Sequence, residues 1–268
     1  MRLVIKVGGS LIAEPDIFTN IAQDFQIVAA KNQCVLVHGG AKIVNKIAEK
    51  MGKEQNFVTS ATGFRSRYTD RETMEIFEMV MAGKINKELV TSLQINGINA
   101  IGLSGVDGGL IRAQRKDRIK IIDEHGRKRM ISGDYTGKIN EVDANLLDLL
   151  FDNEYVPVVA PIALSHDYEP LNCDGDRTAA YIARAISADK LILLTDVSGL
   201  LIDESMVPLL TAAEAKDEID KIGAGMKKKV FGALEALEGN VKEVIIASGL
   251  VDAPISNALE HKGTVVVP

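Results

Sequence analysis

MRLVIKVGGS at residues 1–10 and CVLVHGGA at residues 34–41 decide how this chain folds. Each is a short, β-branched run that stops at a pair of glycines and leads into a helical pattern, Ile17 to Ala30 after the first and Lys42 to Met51 after the second. A run that is apolar at nearly every position is a strand covered on both faces, the habit of parallel sheets. The same signature recurs at Val156 to Val159, Leu191 to Leu194, Val244 to Ile246 and Thr264 to Val267. Helical patterns lie between them at Arg71 to Ala82, Lys84 to Ile95, Asn145 to Leu150, Arg177 to Ile186, Thr211 to Ile222, Lys227 to Leu237 and Ala253 to His261. Strand alternating with helix predicts an α/β fold around a mainly parallel sheet.

Residues 111–131, IRAQRKDRIKIIDEHGRKRMI, break this rhythm with short alternating segments around His125-Gly126 and predict a protruding β-hairpin. A soft boundary near residue 165, in SHDYEP, divides an N-terminal lobe (1–165) from a C-terminal lobe (166–268) that share one sheet. With 268 residues, 46% of them hydrophobic and 25% charged, the chain has the balance of a globular protein with a full core. The net charge of -6 argues against a surface built to bind nucleic acid or an anionic membrane. Cys34 and Cys173 are too few for a disulfide framework or a four-ligand zinc site, so they read as buried thiols in a cytoplasmic protein. Lys6 interrupts the first apolar run, which therefore reads as a strand and not a signal peptide. The longest apolar run, VPVVAPIAL at 156–164, is far short of the roughly 20 residues of a membrane helix.

Ligands of parallel α/β sheets bind beyond the carboxyl ends of the strands, which directs attention to Gly8-Gly9-Ser10 and His38-Gly39-Gly40-Ala41. Glycine lets backbone N–H groups approach phosphate oxygens, although such a pair is also an ordinary turn. Neither GxxxxGK(S/T) nor GxGxxG is present, which counts against a P-loop ATPase and a dinucleotide dehydrogenase. Lys6 is a charge inside an apolar strand, costly unless it meets a partner or snorkels out at an edge. Lys227-Lys228-Lys229 opens a helix where cations are disfavoured, pointing to an anionic ligand; helix geometry predicts that one of the three enters a site while the others face solvent. In LNCDGDR at 171–177, Asp176 is either an N-cap or a counter-charge for the lysines, and Asn172 can offer its amide to a carboxylate. Thr195-Asp196-Val197-Ser198-Gly199 after a strand frames a nucleotide or makes a turn. Arg65 and Arg67 in GFRSRYTD (63–70) are a surface pair or two forks for a dianion.

Taken in order, IKVGGS (5–10), VHGGA (37–41), GFRSRYTD, GLSGVDGG (102–109), LNCDGD (171–176), LLTDVSGLL (193–201) and GAGMKKKV (223–230) resemble the amino acid kinase superfamily across essentially the whole chain. The resemblance implies a three-layer αβα sandwich with the first lobe binding an acceptor and dimerising, and the second binding ATP. It implies that Lys6 and Lys229 stabilise the transferring phosphoryl group, that Gly8, Gly9, Gly39 and Gly40 donate amides to phosphate, and that Asp176 orients the lysines. Lys229, among the three lysines of 227–229, is singled out by the resemblance alone. Arg65 and Asn172 would hold the acceptor, and Thr195, Asp196, Gly199 and Met226 the ATP. Mg2+ would ride on the nucleotide phosphates with no metal cage of protein ligands. The chemistry agrees: an acceptor carboxylate with a pKa near 4.3 is already ionised at neutral pH and needs no general base.

Within that superfamily the chain is similar to N-acetylglutamate kinases, which usually read GLRVTD where this sequence has GFRSRYTD. The longer form, with Arg67 and Tyr68, and NCDGDR in place of NINAD resemble the branch that phosphorylates α-aminoadipate or glutamate carried on the acidic amino-group carrier protein LysW, in lysine or arginine biosynthesis. HGGA replaces the commoner HGGG, leaving Ala41 with a restricted φ. Between Arg112 and Arg129 eight Lys/Arg face three acids, a local +5, and the resemblance makes Arg127, Lys128 and Arg129 candidates for docking LysW. A solvated basic hairpin gives the same count. A homodimer follows from the resemblance. N-acetylglutamate as acceptor is the nearest alternative, and a non-catalytic nucleotide sensor on the same fold is the alternative of another class.

Overall fold

The computed structural model describes residues 1–268 other than Thr62, Phe64, Asp203 and Glu204, and other than the side chains of Asp220 and Ala224; Phe64 of GFRSRYTD thus lies outside the described residues. Eight strands form the central sheet: β1 (Arg2–Val7), β2 (Gln33–His38), β3 (Ala100–Ser104), β4 (Val156–Ala160), β5 (Lys190–Thr195), β6 (Leu209–Thr211), β7 (Glu243–Ser248) and β8 (Thr264–Val267). Their order is β6-β8-β7-β5-β1-β2-β4-β3, parallel throughout except where β8 runs against β7. Strands from residues before 165 make one half of the sheet and strands from residues after it the other, joined where β1 pairs with β5, Leu3 opposite Lys190 through Val7 opposite Leu194.

Side chains alternate across each strand, so the sheet feeds two cores. Leu3, Ile5, Val7, Leu36, Ile192 and Ile245 enter one, while Val4, Val35, Val37, Leu193 and Ile246 enter the other. The first core is covered by α1 (Pro15–Ala29), α2 (Ala41–Lys50), the helical stretch α3 (71–95) and α8 (Pro254–Leu259). The second is covered by α4 (Ala144–Asp152), α5 (Gly175–Ala185), α6 (Ala212–Asp217) and α7 (Ala224–Leu237). The result is the expected three-layer αβα sandwich.

Two expectations need correction. Arg71 to Ala82 and Lys84 to Ile95 are one unbroken helical stretch, Arg71–Glu78 continuing as a π-helix over Met79–Ile85 into Asn86–Ile95. Buried residues recur every fourth position through Phe77, Met81, Ile85, Leu89 and Leu93. In a straight α-helix a four-residue repeat drifts by about 40° per step, and the wider π turns cancel that drift. The hairpin is also shorter than 111–131. Ile111–Arg115 pairs with Gly137–Val142 and Ile162–Leu164 in a separate four-stranded sheet completed by Pro170–Asn172, because Ile111 and Ala113 belong to the core. The hairpin itself is Arg118–Ile122 with Lys128–Ser132, and it joins Phe57–Ser60 and Arg65–Arg67 in another small sheet.

Candidate active site

The two glycine turns meet at the carboxyl ends of β1 and β2. A Cβ on Gly9 would sit 2.7 Å from the Gly40 nitrogen, and one on Gly39 would sit 2.7 Å from the Gly9 nitrogen. Packing of the turns against each other therefore requires glycine on both sides, whatever binds there. The Gly8 N–H donates to Leu194 O on β5 and the Gly39 N–H to Val7 O, so the turns continue the sheet. Ala41, the departure from the commoner third glycine, is the first residue of α2, where any L-residue fits.

Asp174 caps α5 by accepting from the Asp176 and Arg177 N–H groups at 3.0 and 3.2 Å. That cap frees Asp176, the second residue of the helix, for another task. Its Oδ1 lies 2.6 Å from Lys6 Nζ and its Oδ2 3.2 Å from Lys229 Nζ, with Lys6 and Asp176 each only 6% exposed. Of the two readings left open for Asp176, the structure selects the counter-charge. Burial would raise the carboxyl's pKa, but the two ammoniums hold it well below the usual carboxylate range. Lys229 is pushed down by burial and by Lys6, with Asp176 opposing. The close approach of α7 to α5 depends on Gly232, whose Cβ would stand 3.2 Å from Asp176 O. The expectation that a single lysine of 227–229 enters the site fails, since Lys228 also turns inward, 3.8 Å from Asp174.

Beside the triad opens a cleft of about 620 Å³ lined by Gly39, Gly40, Arg65, Arg67 and Asn172, with an apolar wall that includes Phe57, Phe77, Met81 and Phe231. Lys6, Asp176 and Lys229 do not line it directly; Gly175, which does, lies with its Cβ position 3.5 Å from Lys6 Cε. Arg67 is 6% exposed, donates to Gln55 and to Ala41 O at 3.2 Å, and lies over Phe57 and Phe77; burial pulls its pKa down to about 10. Arg65 is exposed and stacks 5.0 Å over Phe57. Asn172 Nδ2 donates to Thr69 Oγ1 at 3.0 Å. Asp70, at the end of the same motif, caps the stretch that begins at Arg71.

On the other side of the glycine turns, Thr195 is buried and donates to Asp196. Asp196 is exposed; against its partial burial, hydrogen bonds from its own N–H, Thr195 and Ser10, together with nearby Lys229, hold its carboxyl below the ordinary range. Gly199 and Met226 have packing roles. A Cβ on Gly199 would meet Thr264 Oγ1 at 2.7 Å, and Met226 leans on the second core. On the hairpin, Arg127 and Arg129 both pair with Asp123, at 3.2 and 3.4 Å. Arg112 and Arg115 lie outside it and are engaged in their own sheet, Arg115 with Glu169 at 2.8 Å and over Tyr135 at 3.8 Å. The hairpin's own excess is thus smaller than the +5 counted over 112–129. Among the described residues no group of three His, Cys, Asp or Glu is placed to hold a metal ion.

The amino acid kinase family pattern matches residues 1–248. The chain belongs to that family. A protein of Saccharolobus solfataricus named LysW-aminoadipate/LysW-glutamate kinase is 45% identical over 98% of this chain and 98% of its own. A protein of Nitrosopumilus maritimus, 49% identical over 99% of this chain and 98% of its own, carries a provisional form of the same name. Among solved structures, N-acetylglutamate synthase of Neisseria gonorrhoeae superposes with a TM-score of 0.82 at 22% identity, covering all of this chain and 59% of that one. Carbamate kinase of Giardia lamblia gives 0.69 at 17%, covering 99% and 98%.

Sequence reasoning missed several residues of this amino acid kinase's cleft. Arg177 and Glu235 line it and grip each other, Nε to Oε2 at 2.8 Å. They are 58 positions apart, and no local pattern links them. Gly232 did carry a signal, because glycine inside a helix costs about 1 kcal/mol against alanine and implies a close approach.

Proposed function

We propose that this chain phosphorylates the side-chain carboxylate of α-aminoadipate or glutamate carried on LysW, taking the γ-phosphoryl group of ATP and yielding an acyl phosphate. The observation that carries the reading is the buried Lys6–Asp176–Lys229 triad behind two abutting glycine turns, next to an arginine-lined cleft. The triad's net +1 suits a transferring phosphoryl group whose charge sits on its equatorial oxygens, and a carboxylate nucleophile is ionised without a base. Lys6 and Lys229 would neutralise that charge, Asp176 would hold them apart, and amides at Gly8, Gly9, Gly39 and Gly40 would cradle the phosphates.

Arg65, Arg67 and Asn172 would take the acceptor, with Phe57, Phe77 and Met81 against its methylenes. Arg67 already spends donors on Gln55 and Ala41 O, so Arg65 is the freer fork. The acceptor cleft draws on both halves of the chain, while ATP would be held by residues 166–268 through Thr195, Asp196, Gly199 and Met226. Both Asp176 oxygens are taken by lysines, which supports Mg2+ being held mainly through the nucleotide phosphates. LysW would dock on the hairpin through Lys128, aided by Arg127 and Arg129. Strand alternation puts Arg118, Lys120 and Lys128 on one face with exposed Met130, a surface suited to an acidic partner. By family resemblance the enzyme acts as a cytoplasmic homodimer in lysine or arginine biosynthesis.

The test is acyl-phosphate formation from Mg-ATP, trapped as the hydroxamate, with LysW-aminoadipate, LysW-glutamate and free N-acetylglutamate. Turnover confined to the carrier-linked acceptors supports the proposal. Turnover of N-acetylglutamate alone replaces it with an N-acetylglutamate kinase, and ATP binding without turnover of any acceptor with a nucleotide sensor.

A further inference from the structure

One buried polar side chain near the glycine turns has no part in the chemistry above. Asn86, fully buried at the point where the π segment of α3 ends, lies against the carboxyl ends of three strands. Its Nδ2 is 3.3 Å from His38 Nε2, 3.3 Å from Leu103 O and 2.9 Å from Val158 O, touching β2, β3 and β4 together. Its Oδ1 accepts from Lys87 Nζ at 3.1 Å. Room for it exists because residue 102 is glycine; a Cβ there would fall 2.0 Å from Asn86 Oδ1. The turn is held on the same side by the π segment, since a Cβ on Gly40 would strike Ile85 Cδ1 at 2.4 Å and Met81 Sδ at 2.8 Å.

His38 is fully buried, and its Nδ1 lies 2.9 Å from Gly39 O. A carbonyl only accepts, so Nδ1 carries the proton. Nε2 is then a bare acceptor, and the amide of Asn86 is its donor. The charged groups facing this ring are Lys6 and Lys87; burial, aided by both and opposed by the bond to Gly39 O, holds the imidazole neutral, its pKa pushed down to about 4. We infer that Asn86 is a positioning residue of the glycine turn: it locks His38 in the neutral Nδ1–H tautomer, and His38 in turn fixes the carbonyl of Gly39 and excludes a further cation from behind Lys6. The inference rests on the reading of the Gly39-Gly40 turn as a phosphate cradle.

The experiment has one arm independent of turnover. In the wild-type protein labelled with 15N-histidine, the His38 ring is expected to show the Nδ1–H tautomer, unchanged from pH 8 to pH 5.5. An Nε2–H tautomer, or protonation within that range, overturns the inference even if the enzyme turns over. Failure of every acceptor, with the tautomer as expected, removes the kinase reading and leaves the ring's state standing. In the second arm, Asn86→Asp replaces the donor by a carboxylate that favours imidazolium, and a new acid limb in kcat between pH 6 and 8 is expected. The double variant Asn86→Asp/His38→Asn, which has no ring to titrate, should lose that limb. A limb that is missing in the first variant or persists in the second overturns the inference. If Asn86→Asp does not fold, His38→Asn and His38→Gln decide. Asn places an N–H where Nδ1–H was and Gln does not, so Gln should weaken ATP binding in calorimetry on the order of 10-fold more; equal losses overturn the inference.

Discussion

Asp176→Asn keeps the shape of the buried triad and deletes its only negative charge. Lys6 and Lys229 reach different oxygens of one carboxylate at 2.6 and 3.2 Å, which leaves their nitrogens within about 8 Å of each other. At an effective dielectric near 20 their repulsion alone is about 2 kcal/mol, and removing one partner of a buried ion cluster typically costs about 3–5 kcal/mol. The pH dependence identifies the cause. In the parent, Asp176 has a folded pKa lowered from the ordinary 3.8 to about 2, so its contribution is present above 3.8 and lost as the pH falls through the folded value. The variant has no such contribution to lose, and the gap between the two proteins narrows in acid. Lys229, already below the ordinary lysine value of 10.5, drops further without Asp176. A lysine lowered on folding costs stability below its folded pKa, and the cost fades as the pH rises toward 10.5, so the gap narrows in alkali too. Urea unfolding followed by circular dichroism at about pH 2.5, 7 and 10 should therefore give a destabilisation of about 3–5 kcal/mol at pH 7 and clearly less at both ends. Because the site becomes more cationic, KM for ATP should hold or fall while kcat drops about 100-fold. A deficit that is flat across pH would refute the charge argument and leave only a lost hydrogen bond.

Gly232→Ala places a methyl 3.2 Å from Asp176 O, so α7 must retreat; kcat should fall while stability changes by only about 1–3 kcal/mol, whereas unchanged kcat would show that the spacing of these helices does not set Lys229. Arg67→Lys retains the charge but loses the fork that reaches Gln55 and Ala41 O, and should raise the acceptor's KM about 10-fold or more with the ATP parameters unchanged, measured by initial rates of acyl-phosphate formation. Reversing Arg118, Lys120 and Lys128 to glutamate should raise KM for the carrier-linked acceptor in a salt-dependent way without altering ATP binding; an unchanged KM removes the hairpin as the dock.

What could be read from the sequence was whatever violates a local rule. A lysine inside a β-branched strand, glycine pairs at strand ends and three lysines at a helix start are each visible within ten residues, and each marks a position now found at or beside the triad. The sheet was legible for a similar reason, since strands buried on both faces are apolar at consecutive positions. Several of the strands that escaped are half covered. Ala100–Ser104 lies at the edge of the central sheet with three of its five residues only partly buried, and Phe57–Ser60 and Arg65–Arg67 are short pieces of an open sheet.

Arg65, Arg67 and Asn172 on the wall of the cleft were legible, but the contacts that assemble the site were not, because closure of the topology makes them. Pairing of β1 with β5 brings Thr195 beside Gly8, with a Cβ position on Gly8 only 3.9 Å from Thr195 Cα, although 187 residues separate them. Arg177 finds Glu235 only after α5 and α7 have packed through Gly232. The phase of α3 hides Asn86 in the same way. Read as a plain α-helix, the stripe from Phe77 to Leu93 drifts off register and suggests a break near Gly83; only the π turns keep it in register and leave Asn86 facing His38. The triad and the histidine differ in one physical respect that decides how each must be tested. The triad holds unlike charges together, so its energy changes with pH on both sides of neutrality, whereas the His38–Asn86 contact exists to keep a group uncharged, and its signature is the absence of titration between about pH 5.5 and 8 until Asn86 is replaced.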